Sequence, residues 1–120
     1  MRRKRKRNRF TLDEAQTATL INTEGTVFCH RYDKLRYPTV EIKMCDRDAL
    51  KPAERVFGTV IYPARRKRIE CPPEYFPPHG RGSWAIRSTG KKAKKTMKRL
   101  KPLLSKRRKK RWKKIVKECR

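Results

Sequence analysis

The charge of this chain is unevenly placed, and that placement limits what it can fold into before any motif is considered. Residues 91 to 120 hold seventeen Lys or Arg against a single acid, Glu118. A second basic block, Arg2, Arg3, Lys4, Arg5, Lys6, Arg7 and Arg9, has no acid before Asp13. Between the two blocks, residues 11 to 62 carry seven basic and eight acidic side chains. The net charge of +26 over 120 residues therefore belongs to two arms and a connecting loop, and only the middle has the composition of an ordinary core. A domain that small buries roughly 60% of its unfolded surface and is marginal alone. Like charges packed this densely keep a chain extended until counter-charge arrives, so the arms are expected to be disordered when free and ordered on a polyanion.

Local patterns divide the chain into four parts: a basic arm at 1–10, a small β domain at 11–62, a Pro-rich extended segment at 63–90 and a basic helical extension at 91–120. In QTATLINTEGTVFCHRY, residues 16 to 32, Thr17, Thr19 and Ile21 alternate with Ala18 and Leu20 before the turn residues Asn22 to Gly25, which predicts a β-hairpin. A third strand is expected at Thr39 to Cys45, with Val40, Ile42 and Met44 on one face and Glu41 and Lys43 on the other. One helical turn fits around Pro52, and Val56 to Tyr62 reads as a fourth strand bent at Gly58. The expected fold is thus mostly β, a small antiparallel sheet or incomplete barrel. The Pro pairs at 72–73 and 77–78 predict an irregular strap pinned by Tyr75, Phe76 and Trp84. At the C-terminus Met97, Leu100, Leu104, Trp112 and Ile115 fall at helical spacings, with Pro102 splitting the helix.

Catalytic and metal chemistry find little support in these patterns. Cys29 and His30 are neighbours in a strand, so their side chains point to opposite faces and do not form a nucleophile and base. Asp46 and Asp48 read as turn caps. Cys29, Cys45, Cys71 and Cys119 lack a C-x-x-C pair, so reduced thiols are expected, and a zinc site from Cys29, Cys45, Cys71 and His79 would have long, irregular spacings. No cofactor, metal or small-molecule substrate is expected, and the chain is read as a non-enzyme. No run approaches the ~20 apolar residues of a membrane span, and no apolar stretch follows the basic start as a secretory signal requires.

What remains is basic residues interleaved with aromatics, the pattern by which proteins hold nucleic acid. The candidate contacts in the N-terminal arm are Arg2, Arg3, Lys4, Arg5, Lys6, Arg7 and Arg9. In the loop they are Arg65, Arg66, Lys67 and Arg68, with Arg81 between two glycines that let backbone approach a phosphate. In the C-terminal part they are Lys91, Lys92, Lys94, Lys95, Lys98 and Arg99, then Lys106, Arg107, Arg108, Lys109, Lys110, Arg111, Lys113 and Lys114. The run from Lys106 to Arg111 also has the composition of a nuclear-import signal. Arg mixed with Lys favours folded RNA, since Arg forks onto phosphate while Lys neutralises charge.

In general layout, MRRKRKRNRF, PPEYFPPHGRG and KKAKKTMKRLKPLLSKRRKKRWKK around a modest knob resemble the small ribosomal proteins. The resemblance implies a structural constituent of the ribosome, with ribosomal RNA and neighbouring ribosomal proteins as partners. It places the protein in a ribosome, the mitochondrial one slightly favoured over a cytoplasmic or nucleolar setting. A viral capsid or nucleocapsid subunit that packages nucleic acid, or a nucleolar ribosome-assembly factor, would carry similar arms.

Overall fold

A computed structural model describes residues 9–65 and 82–119. The first helix, α1 (Leu12–Glu24), starts at a capping box: the Thr11 hydroxyl accepts from the Glu14 N–H at 3.1 Å, and the Glu14 carboxylate accepts from the Thr11 N–H at 2.9 Å. Thr17, Ala18 and Ile21 turn inward. The chain leaves α1 at Gly25, where a Cβ would stand 2.6 Å from the Ile21 carbonyl oxygen, so only glycine lets strand β1 (Gly25–Tyr32) begin this close to the helix. A two-residue turn, with Asp33 at φ 59, returns the chain as β2 (Leu35–Met44).

Asp46 caps a single 3₁₀ turn (Arg47–Leu50) by accepting from the Asp48 N–H at 3.0 Å, and α2 (Lys51–Phe57) follows. Pro52 sits in the first turn of α2, and Gly58 closes the helix in the left-handed region at φ 70. Strands β3 (Tyr62–Arg65) and β4 (Gly82–Thr89) precede α3 (Lys91–Leu100). A 3₁₀ turn containing Pro102 (Lys101–Leu103) then leads to α4 (Lys106–Glu118), which is capped by Ser105.

The four strands form one antiparallel sheet in the order β1-β2-β4-β3, open at both edges. Val27 lies opposite Val40 and Ile42 opposite Ile86, and these four make the sheet's contribution to the core. The four helices of the described residues lie on that face: Ile21, Ala53, Phe57, Met97, Leu100 and Ile115 complete the same core. The basic C-terminal helices therefore share the hydrophobic core of the sheet. A disulfide between Cys29 of β1 and Cys119 beyond α4 joins segments 90 residues apart.

Several expectations are corrected here. Thr17 to Ile21, expected as the first strand of a hairpin, lie within the helix Leu12–Glu24, because the capping box and the core contacts of Ile21 outweigh the β-branched alternation. The hairpin is β1–β2, one strand later. Val56 and Phe57 end a helix, so Gly58 is a helix cap and not a strand bulge. With helix exceeding strand, the protein is an α+β fold; the small antiparallel sheet is present, the mostly β class is not, and the sheet does not close toward a barrel. The segment 82–89, expected in the irregular strap, is a central strand. The thiols at 29 and 119 are paired and Cys45 is disulfide-bonded as well, where reduced cysteines were expected.

Candidate nucleic-acid interface

The fold gives the molecule two chemically different sides. On the face of the sheet away from the helices, alternation places Phe28, Thr39, Glu41, Lys43, Tyr62 and Arg87 opposite the core residues. Their charges are spent on one another. Glu41, 6% exposed, accepts from the Tyr62 hydroxyl at 2.6 Å and from Arg87 at 2.8 Å, with Lys43 3.6 Å away. The Arg87 guanidinium also lies 5.5 Å from the Phe28 ring centre and 5.8 Å from that of Tyr62. Burial pushes the Glu41 carboxyl up, but the Tyr62 and Arg87 hydrogen bonds outweigh it and hold the group below the usual carboxylate range. Burial and the adjacent carboxylate push the Tyr62 hydroxyl up to about 12.

The helix layer is the reverse. Lys91, Lys92, Lys94, Lys95 and Lys98 project from α3, each exposed, while Ala93, Met97 and Leu100 anchor the helix in the core. On α4, Lys106, Arg107, Lys110, Arg111, Lys113 and Lys114 are exposed, and Arg108 and Lys109 are half-buried. Neither helix has an acid in its first turn, so Lys and Arg sit against the positive end of each helix dipole. Among the described residues, Arg99 is the one cation of these two helices with a carboxylate partner. It grips Glu14 at 2.8 Å, donates to the Arg9 carbonyl at 2.6 Å and lies 4.6 Å from the Phe10 ring centre. Arg99 thereby fastens the start of α1 to α3.

Asn22 holds α4 in place, and sequence reasoning read it only as a turn residue. Its amide donates to the Leu103 carbonyl at 3.1 Å, its side-chain oxygen accepts from the Ser105 N–H at 2.9 Å, and its backbone carbonyl faces Arg108 at 3.4 Å. No local signal links Asn22 to residues more than eighty positions away. The Thr11-x-x-Glu14 box was the signal that would have made α1, and hence Asn22, part of a helix.

Of the other candidate contacts, Arg9 is exposed at the foot of α1, and Arg65 ends β3. Arg2, Arg3, Lys4, Arg5, Lys6, Arg7, Arg66, Lys67, Arg68 and Arg81 lie outside the described residues, as do Tyr75 and Phe76. Trp84 is on β4 against the edge of the core, with Arg47 5.4 Å from its ring centre. The zinc reading loses Cys29 and Cys45 to disulfides, while Cys71 and His79 lie outside the described residues. Among the described residues, no group of three or more metal-ligating side chains converges and no helix is long and apolar enough to cross a membrane. No protein-family model matches the chain, and no curated protein or solved structure matches it either.

Proposed function

We propose that this protein binds nucleic acid as a non-enzymatic structural component of a ribonucleoprotein particle, the ribosome foremost, with the mitochondrial ribosome ahead of the cytosolic one. The observation that carries this reading is the helix layer. Its apolar stripes are fixed in the core, and its cations stand outward with almost no carboxylate to neutralise them. Such a surface holds condensed anions at a standing cost in self-repulsion, and a phosphate backbone relieves that cost while releasing its own counterions. Because α3 and α4 are already folded, binding orders less chain than a flexible tail would require.

Sedimentation of tagged protein from whole-cell and mitochondrial lysates, with and without ribonuclease, tests the proposal. Co-migration with a ribosomal subunit that is lost after nuclease supports it. Migration only in light fractions, or in uniform RNA-free oligomers, rejects it.

A further inference from the structure

Between α3 and α4 runs a groove of about 680 Å³ whose walls and floor differ in chemistry. The floor is apolar, made by Met97, Leu104, Trp112 and Val116. Met97 and Leu104 are buried in the core, while Trp112 and Val116 remain half-exposed to the groove. Along the α3 wall stand Lys94, Lys98 and Lys101, at steps of four and three residues. Along the α4 wall stand Lys109, Lys113 and Lys117, at steps of four. The α4 wall is one helical ridge of ammonium groups, the other wall is a ridge of α3 continued by Lys101 of the 3₁₀ turn, and the two flank an apolar strip. The helices supply ten and thirteen residues, ~15 and ~20 Å of wall.

We infer that this groove is a docking site for an acidic amphipathic helix of a partner protein. A ligand that carries only phosphate has no use for Trp112 and Val116, which lie between the charged walls. A helix with an apolar stripe at i, i+3, i+4 and i+7, flanked on both sides by Glu or Asp every three to four residues, matches floor and walls together. Its acids meet lysines of the same period on either side, and its stripe covers the apolar floor. This chain's own basic first residues have the wrong charge for the groove.

The inference does not depend on which nucleic acid the protein binds. It reassigns Lys94, Lys98, Lys109 and Lys113 from phosphate to protein, and leaves Lys106, Arg107, Arg111 and Lys114, which lie outside the groove lining, to the polyanion.

A fluorescein-labelled 14-residue peptide, with a Leu stripe flanked by two Glu rows, is the probe, read by anisotropy on the full-length oxidised protein. The controls are a peptide of the same composition in scrambled order, polyglutamate and a structured RNA hairpin. The amphipathic peptide should bind at least about tenfold more tightly than either acidic control. Lys98→Glu with Lys113→Glu, a surface pair that leaves the core intact, should weaken it by a further tenfold or so, as should Val116→Asp. The salt dependence of RNA binding should be unchanged in Val116→Asp, which removes no cation. Equal binding of the scrambled peptide or of polyglutamate would overturn the inference, because charge alone would then explain the affinity. So would full displacement of the peptide by RNA with no effect of Val116→Asp, which would give the groove to nucleic acid. Neither of these results would bear on RNA binding elsewhere, which the ribonuclease sedimentation reads separately.

Discussion

The sheet face away from the helices and the helix layer use the same kinds of side chain to opposite ends. On the sheet, Arg87 and Lys43 converge on Glu41, so that a nearly buried acid is neutralised and two aromatic rings are held by one guanidinium. On the helices, cations with no acid nearby are kept apart by their helical spacing and held in place from beneath, by Met97, Leu100, Leu104 and Ile115. The first arrangement contributes to stability and little to long-range attraction; the second does the reverse. A cation's role in this protein is thus set by whether the fold brings it a carboxylate, and Arg99 illustrates the point. It lies in the most basic part of the chain, yet it serves as a clamp because α1 delivers Glu14 to it. That hydrogen bond from Arg99 holds the Glu14 carboxyl below its ordinary value.

The sharpest test of the contrast neutralises one side only. Changing Lys106, Arg107, Arg111 and Lys114 to Gln should make the slope of log affinity against log salt shallower by about 3, since each phosphate contact contributes ~0.7 to 0.9. Thermal stability should stay the same or rise slightly, because self-repulsion falls. An unchanged slope with RNA would break the assignment of attraction to the helix layer.

The next largest effect belongs to the clasp between the two regions. Cys29 and Cys119 close a loop of 90 residues, so Cys119→Ser should cost about 4 kcal/mol on the loop-closure argument. Under oxidising conditions, which keep the Cys45 disulfide intact, the urea midpoint of the wild type should exceed that of the variant by the corresponding amount. Equal midpoints would mean that Ile115 and Asn22 hold α4 unaided.

On the sheet side, Glu41→Gln should destabilise the fold by about 2 kcal/mol, less than a fully buried pair would lose, because the Arg87 side chain keeps 35% of its exposure. The same network predicts two pH limits. The Glu41 carboxyl is lowered in the folded protein, so its contribution is complete above about pH 4.5 and is lost as pH falls through the depressed value. Tyr62 is raised to about 12, so its contribution is complete below pH 10 and is lost as pH rises from 10 through 12. Phenolate absorbance in a Tyr62→Phe variant should lack the late-titrating tyrosine, and the variant's stability should no longer decline over that alkaline range.

Much of this layout could be read from residues alone, and the part that could not has physical causes. The alternation at Thr39 to Cys45 marked β2, since one of its faces meets an apolar layer. Pro102 marked the break between α3 and α4, because it removes a donor wherever it falls. Leu12 to Glu24 misled because Thr and Ile suit strands, and only packing through Ala18 and Ile21 decides for helix. Strand β4 was hidden by the prolines before it, although Trp84, Ile86 and Ser88 alternate with Ala85 and Arg87. The basic character of the candidate interface is a matter of composition and needed no fold. Which cations are spent inward, which line the groove and which face outward depends on contacts made across forty to ninety residues, such as Arg55 with Asp13 and Arg99 with Glu14.

The smallest effect probes the seam where α1 meets the start of α4. Asn22→Ala removes one donor to the Leu103 carbonyl, part-buried at 3.1 Å, and one acceptor from the Ser105 N–H, exposed at 2.9 Å. The expected cost is ~1 kcal/mol, the usual net worth of such bonds with some water able to replace them. Hydrogen exchange should localise the change, with amides from Leu104 to Lys109 losing protection while those of β2 and β4 keep theirs. The salt slope for RNA should fall by less than one unit, because the cations of α4 remain present and only their anchoring loosens. If protection fell across the sheet as well, Asn22 would be part of the core's cooperative unit, and the separation between a self-neutralised sheet and a pinned cationic layer would not hold.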